Sequence, residues 1–232
     1  RGLVAPAGPI DCGNSGTTAR LLAGVIAGAG VDAQLVGDAS LRARPMRRVA
    51  DPLAAMGATV EVAPHGGLPM RVRGGGLRGV TWRSPVPSAQ VKSAILLAGL
   101  LAEVPVEVEE PLATRDHTER MLRARGADVR TDGTRVVLHP TGPLDATDST
   151  IPRDASSAAF LLAAAALGVT EELALEGVGV NPGRIGAFGA LRQMGASVRF
   201  EAAQEAGGEP VATVVAARGA LRGITIDPKD IP

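Results

Sequence analysis

Four stretches of this sequence carry residue types at spacings that suit the holding of an anion. Asn14-Ser15-Gly16-Thr17-Thr18 is a small-residue turn running into an apolar segment. A helix beginning there would offer free backbone N–H groups and the positive end of its dipole. Gly16 presents no Cβ to an approaching ligand; a plainly capped helix fits the same residues. Ser40-Leu41-Arg42-Ala43-Arg44-Pro45-Met46-Arg47-Arg48 places four arginines within seven residues. The guanidinium fork matches carboxylate and phosphate oxygens. Pro45 reads as the first residue of a helix, fixing the exit of Arg44. The competing reading is a solvated helix face with Arg47 or Arg48 paired to Asp51. Ser88-Ala89-Gln90-Val91-Lys92-Ser93 follows Pro85-Val86-Pro87, which cannot be helical throughout. Its Ser and Gln side chains could orient a polar ligand, or Ser88 could simply cap a helix. Thr114-Arg115-Asp116-His117-Thr118-Glu119-Arg120 opens a further helix. Arg115 stands there much as Arg44 stands earlier, so the two could converge on one ligand. His117 reads as structural or solvated rather than as an acid or base, and Asp116 and Glu119 as caps or ion-pair partners. Cys12 reads as a small buried hydrophobe. Nothing resembles a metal cluster, a P-loop, a dinucleotide fingerprint or a Ser/His/Asp set.

The elements that must position these residues repeat. Leu53-Ala54-Ala55-Met56-Gly57-Ala58, Met121 to Ala127 and Leu191-Arg192-Gln193-Met194-Gly195-Ala196 share one pattern. Their glycines, at 57, 126 and 195, are spaced 69 residues apart both times. In each copy a helix should end at the glycine, whose left-handed backbone stops it, and an alternating strand should follow. Upstream of each lies an Ala/Leu-rich helix with a polar start: Asn14 to Ala23, Ser88 to Leu97 and Asp154 to Ala163. Short strands sit between the paired helices (Ala33 to Val36, Val104 to Val108, Leu173 to Leu175). More follow them (Met70 to Val72, Arg135 to Leu138, Val211 to Val215). The residues thus give a helix–strand–helix–strand–strand unit, with first helices apolar nearly all round and expected inside sheets. Gly74-Gly75-Gly76 reads as a turn between strands. The polar stretch Asp145 to Pro152 is the candidate domain boundary.

Bulk composition narrows the classes. The 232 residues hold 45% apolar side chains but three Phe, one Trp and no Tyr, so Ala, Val, Leu and Ile must build the core. Twenty-four basic residues balance twenty-four acidic ones, against the basic excess of nucleic-acid or membrane-surface binders. A single cysteine excludes an internal disulfide and fits a reducing, cytoplasmic setting. The longest apolar run, Ala158 to Val169, has twelve residues, where a bilayer-spanning helix needs about twenty. The opening residues are too short an apolar stretch for a signal peptide.

Five motifs stand in a fixed order: Asp11-Cys12-Gly13-Asn14-Ser15-Gly16-Thr17-Thr18-Ala19-Arg20, Arg44-Pro45-Met46, Ser88 to Ala94, Thr114 to Glu119, and Asp154-Ala155-Ser156-Ser157-Ala158-Ala159-Phe160. Together they resemble the bacterial form of 5-enolpyruvylshikimate-3-phosphate synthase, along essentially the whole chain. The resemblance implies an α/β enolpyruvyl transferase fold. That fold consists of βαβαββ units whose buried helices are wrapped by sheets (an inside-out α/β barrel), in two domains. Residues 1–148 would be most of the shikimate-phosphate-side domain, and 149–232 part of the second. Gly16 and Arg44 would contact phosphoenolpyruvate, Gln90 both substrates, Ser88 and Ala89 the phosphate of shikimate 3-phosphate, and Arg115 that same substrate. The reaction implied is enolpyruvyl transfer to the 5-hydroxyl of shikimate 3-phosphate in aromatic amino-acid biosynthesis. It proceeds through a tetrahedral intermediate, with no metal or organic cofactor, in a cytoplasmic monomer. Gly16 would leave room for glyphosate beside phosphoenolpyruvate.

The chain also departs from the family pattern. The family's N-terminal Lys-Ser…Arg motif and the later acidic, Lys, Glu and Arg residues of its second domain are missing, as in an internal fragment of about half the family length. Such a chain is expected to show no turnover alone. The sister enzyme, UDP-N-acetylglucosamine enolpyruvyl transferase, carries a reactive Cys before its Arg-Pro pair, and Gly37 to Ala43 has none. A non-catalytic anion-binding scaffold is the remaining alternative.

Overall fold

The computed structural model describes residues 2–226, and Asp227 to Pro232 lie outside them. The chain divides into two compact units, one of residues 1–114 and 126–144, the other of 115–125 and 145–232.

The first copy of the repeat runs β1 (Ile10–Asp11), α1 (Gly16–Gly28), β2 (Asp32–Val36), α2 (Ala39–Arg42), α3 (Arg47–Met56), β3 (Thr59–Val62) and β4 (Met70–Arg73). The second runs β5 (Val80–Arg83), α4 (Ala89–Leu101), β6 (Val106–Glu109), α5 (His117–Arg123), β7 (Asp128–Asp132) and β8 (Arg135–His139). The third runs α6 (Ala155–Ala166), β9 (Glu172–Gly179), α7 (Gly186–Met194), β10 (Ser197–Ala206) and β11 (Glu209–Ala217). The sheets have orders β1-β2-β4-β3, β5-β6-β8-β7 and β10-β11-β9. In both complete copies the first two strands are parallel, Ile10 opposite Leu35 and Val80 opposite Val106, and the rest antiparallel. The third copy keeps only a parallel bridge, Arg153 to Val178, where the others have a first strand. This is βαβαββ. The sheets are open, and no barrel closes among the described residues.

The local causes are those the repeat suggests. Ser15, Ser88 and Asp154 cap α1, α4 and α6, each accepting from an N–H three residues on. Gly57 and Gly195 end α3 and α7 at φ 109° and 106°, and Gly126 follows α5 at φ 84°. β4 buries Met70 and Val72, while Arg71 and Arg73 face out and pair with Asp32.

In the first unit α1 and α4 lie against each other. A Cβ at Gly28 would stand 2.6 Å from the Ala98 carbonyl oxygen, and one at Gly24 would meet Ala94. Glycine is therefore required for this close approach. Ile95, Leu96, Leu35, Leu53, Met56 and Leu138 fill the surrounding core. In the second unit α6 packs Leu162 against Phe188, Val178, Val198 and Val214. Its other face is open, with Phe160 81% and Leu161 53% exposed. Burial of first helices on nearly all sides therefore holds for α1 and α4 and fails for α6. No helix among the described residues is long and apolar enough to cross a membrane.

Candidate functional site

The start of α1 is shaped by a chain of polar contacts. Asn14 Nδ2 donates to Asp38 Oδ2 at 2.7 Å, and Asn14 Oδ1 accepts from Arg44 Nη2 at 2.6 Å. Asp38 accepts from the Leu41 N–H and so caps α2. Its carboxyl is held below the usual range by that backbone bond, then by Asn14. The arginine-rich stretch spans two helices. α2 ends at Arg42 and α3 begins at Arg47, with buried Met46 as its N-cap. Pro45 is therefore not the first residue of a helix: the Met46 N–H is taken by the Gly66 carbonyl, which anchors the turn. Arg44 is left exposed in that turn. Arg47 and Arg48 form no ion pair with Asp51 among the described residues.

Arg20, on α1, is the residue the sequence reading missed as a site candidate. It is 8% exposed. Its Nη1 donates to Gln90 Oε1 at 2.6 Å, and its Nη2 to the Pro45 carbonyl at 3.2 Å. Gln90 Nε2 in turn donates to Thr17 Oγ1 at 2.7 Å. A Cβ at Gly16 would lie 2.9 Å from Arg20 Nη1 and 3.3 Å from Arg44 Nη1. Gly16, Arg20, Arg44 and Gln90 thus converge, drawn from α1, the α2–α3 turn and α4. The helical period was the available signal, because Arg20 lies four residues after Gly16 and so on the same face.

Three guanidinium charges, those of Arg20, Arg44 and Arg48, lie close enough here to act on one another. Several arginines elsewhere are matched, Arg71 and Arg73 with Asp32, Arg83 with Glu109, Arg120 with Asp116, Arg135 with Glu107 and Arg184 with Asp154, while others such as Arg42, Arg78 and Arg153 form no ion pair among the described residues. Arg20, Arg44 and Arg48 have no carboxylate within ion-pair distance among the described residues, and the Arg20 Nε is buried without a partner. Burial, then the like charges of Arg48 and Arg44, pull the Arg20 guanidinium below its ordinary value. A buried positive charge without a counter-charge is costly. An anion bound here would relieve that cost.

The start of α4 adds a second set of donors. The Ser88 Oγ accepts from the Val91 N–H, which leaves its own hydroxyl proton free to donate. Ala89 and Gln90 occupy the first turn, where backbone N–H groups have no partner within the helix. Cys12 is buried, and burial followed by the Asp11 charge raises its thiol, as suits a hydrophobe rather than a nucleophile.

Arg115 belongs to the second unit and is exposed, two residues before α5. In that unit Asp116 accepts from Arg120 Nε at 2.8 Å and from Asn181 Nδ2 at 2.8 Å, so it pairs and does not cap α5. Burial pushes its carboxyl up, but the Arg120 and Asn181 bonds outweigh burial and leave it lowered. His117 Nδ1 lies 2.7 Å from Glu209 Oε1, a structural pairing.

The family described as EPSP synthase (3-phosphoshikimate 1-carboxyvinyltransferase) matches residues 2–232. The 3-phosphoshikimate 1-carboxyvinyltransferase of Methylococcus capsulatus is 50% identical over 232 residues, all of this chain and 53% of that protein. A Thermus thermophilus protein of the same name is 51% identical over 229 residues, 98% of this chain and 54% of that one. A solved EPSP synthase from Acinetobacter baumannii superposes with a TM-score of 0.85 at 45% identity, over 97% of this chain and 51% of that one. The chain spans about half the length of the curated relatives it matches. With the matched repeat architecture, these likenesses place it: the chain belongs to the EPSP synthase family.

Proposed function

We propose that this chain carries the anion-holding part of a site that transfers the enolpyruvyl group of phosphoenolpyruvate to the 5-hydroxyl of shikimate 3-phosphate. The observation that carries the reading is the convergence of Gly16, Arg20, Arg44 and Gln90, with guanidinium charge unmatched by carboxylates. In the reaction the 5-hydroxyl gives up its proton and its oxygen bonds to C2 of phosphoenolpyruvate while C3 gains a proton, giving a tetrahedral intermediate. Loss of phosphate from C2 and of a proton from C3 then restores the double bond. Arg44 and Arg20 are suited to the carboxylate and phosphate of phosphoenolpyruvate, and the α4 start, Ser88 and Ala89, to the phosphate of the sugar acid. Gln90, with its amide oxygen on Arg20 and its nitrogen on Thr17, stands between the two sets. Arg115, at the corresponding point of the second copy, is assigned to shikimate 3-phosphate. Residues 1–148 serve the shikimate-phosphate side and 149–232 the other domain, in a monomer of the cytoplasm. Buried, unpaired Cys12 fits that compartment.

Calorimetric titration tests this. Shikimate 3-phosphate and phosphoenolpyruvate are expected to bind saturably, and Arg44→Ala to weaken phosphoenolpyruvate about tenfold or more, as loss of a charge-assisted contact should. Equal affinity in the wild type and in Arg44→Ala would overturn the assignment. The scaffold alternative predicts equal heats for shikimate 3-phosphate and for simple phosphate.

A further inference from the structure

Directly behind the α4 start lies a carboxylate for which the proposed reaction has no use. Glu110 follows β6, and its side chain is 1% exposed. Its Oε1 accepts from the Ser88 N–H at 2.9 Å. Its Oε2 accepts from the Thr114 hydroxyl at 2.7 Å and faces Lys92 Nζ at 2.9 Å. Lys92, on α4, is itself 3% exposed, so the ion pair is buried at both ends. All four residues belong to the first unit.

We infer that Glu110 is a positioning residue for the anion-binding start of α4, and that Lys92 acts as its charge neutraliser rather than as a substrate ligand. The Ser88 N–H is turned inward onto Glu110, so the first residue of the turn is fixed. The Ala89 and Gln90 N–H groups and the Ser88 hydroxyl proton are then left for a ligand. A lone carboxylate so close to an anion site would repel the anion it helps to seat. Lys92 cancels that charge, and its burial keeps the ammonium from competing for the ligand. Thr114, held by the same carboxylate, fixes the segment that follows β6 to the same anchor.

The inference rests on the reading of the α4 start as a phosphate site, and its test separates the two. Shikimate 3-phosphate and inorganic phosphate are titrated calorimetrically onto the wild type, Lys92→Met and the double variant Lys92→Met/Glu110→Gln. Lys92→Met, with Glu110 left unmatched, should weaken both anions about tenfold or more. The double variant, neutral at both positions, should recover most of that loss. A Lys92 that held the anion directly would leave the double variant no better than the single, and that result overturns the inference. So does wild-type affinity in Lys92→Met. If Lys92→Met does not fold, or if the wild type binds neither anion (which sinks the functional reading alone), backbone exchange decides. The Ser88 amide should be protected from hydrogen exchange in the wild type and lose that protection in Glu110→Ala. Unchanged protection refutes the positioning role.

Discussion

Arg20 is proposed as a functional group on the strength of what it lacks. Its Nη atoms meet only neutral acceptors, Gln90 Oε1 and the Pro45 carbonyl, although it is buried beside two further arginines. Replacing such a charge by an apolar side chain of similar length often leaves stability unchanged or improves it. Arg20→Met is therefore expected to alter unfolding free energy by no more than about 1 kcal/mol, while phosphoenolpyruvate binding falls about tenfold or more. Urea unfolding and calorimetry check the two halves separately; a parallel loss of both would make Arg20 structural. Asp116 behaves in the reverse sense. Its folded-state carboxyl is lowered, so the stability it adds is fully present above the ordinary aspartate value of about 3.9 and lost as pH falls through the folded-state value. Asp116→Asn should lower stability at neutral pH and flatten the acid limb of the stability curve, read from urea midpoints between about pH 3 and 6. An unaltered acid limb would contradict the assignment. Asp116 was legible as a cap or ion-pair partner, and its pair with Arg120 four residues on is the second of these. For Arg20 the helical period gives the face, but burial and partners are not written in the spacing. Gly16, Arg44 and Gln90, which the structure brings together, stood out as candidates because small-residue turns, arginine forks and capped starts have local signatures.

At the scale of elements, the 69-residue spacing of Gly57, Gly126 and Gly195 made the repeat readable, and all three adopt positive φ. Their surroundings differ. A Cβ at Gly195 would stand 2.6 Å from the Ala220 carbonyl oxygen, whereas at Gly57 the nearest atom is 3.7 Å away. Gly57→Ala should cost about 1 kcal/mol, the strain of a left-handed backbone alone. Gly195→Ala should cost measurably more, by about 1 kcal/mol or above, because backbone must also move. Thermal unfolding of the two variants compares them directly; equal losses would contradict this ranking. The first strand of each copy escaped the residue reading. β1 is only two residues long and β5 four, and in the third copy a single bridge at Arg153 replaces it. A two-residue strand or a single bridge has no alternation to register, whereas β5, as long as β4 and β6, was passed over. The start of α3 was read two residues early, at Pro45, because the Met46 N–H finds its acceptor at Gly66, outside the local window.

At the scale of the molecule, the division into units follows bonds that join distant residues. Residues 115–125 fall with the second unit, where His117 meets Glu209 across 92 residues and Asp116 meets Asn181 across 65. Composition marks a polar boundary near Asp145 but carries no trace of those pairings. Charge balance, by contrast, is legible in the sequence as a total and misleading as a distribution. The chain is neutral overall, yet the first unit holds unmatched guanidinium charge around Gly16. That concentration of charge is the basis of the functional account. Amide chemical-shift mapping during titration with shikimate 3-phosphate, then phosphoenolpyruvate, tests it most directly. The largest shifts should fall on Gly16, Ser88, Ala89 and Gln90; shifts centred instead on His117 and Glu209, with those four unmoved, would contradict it.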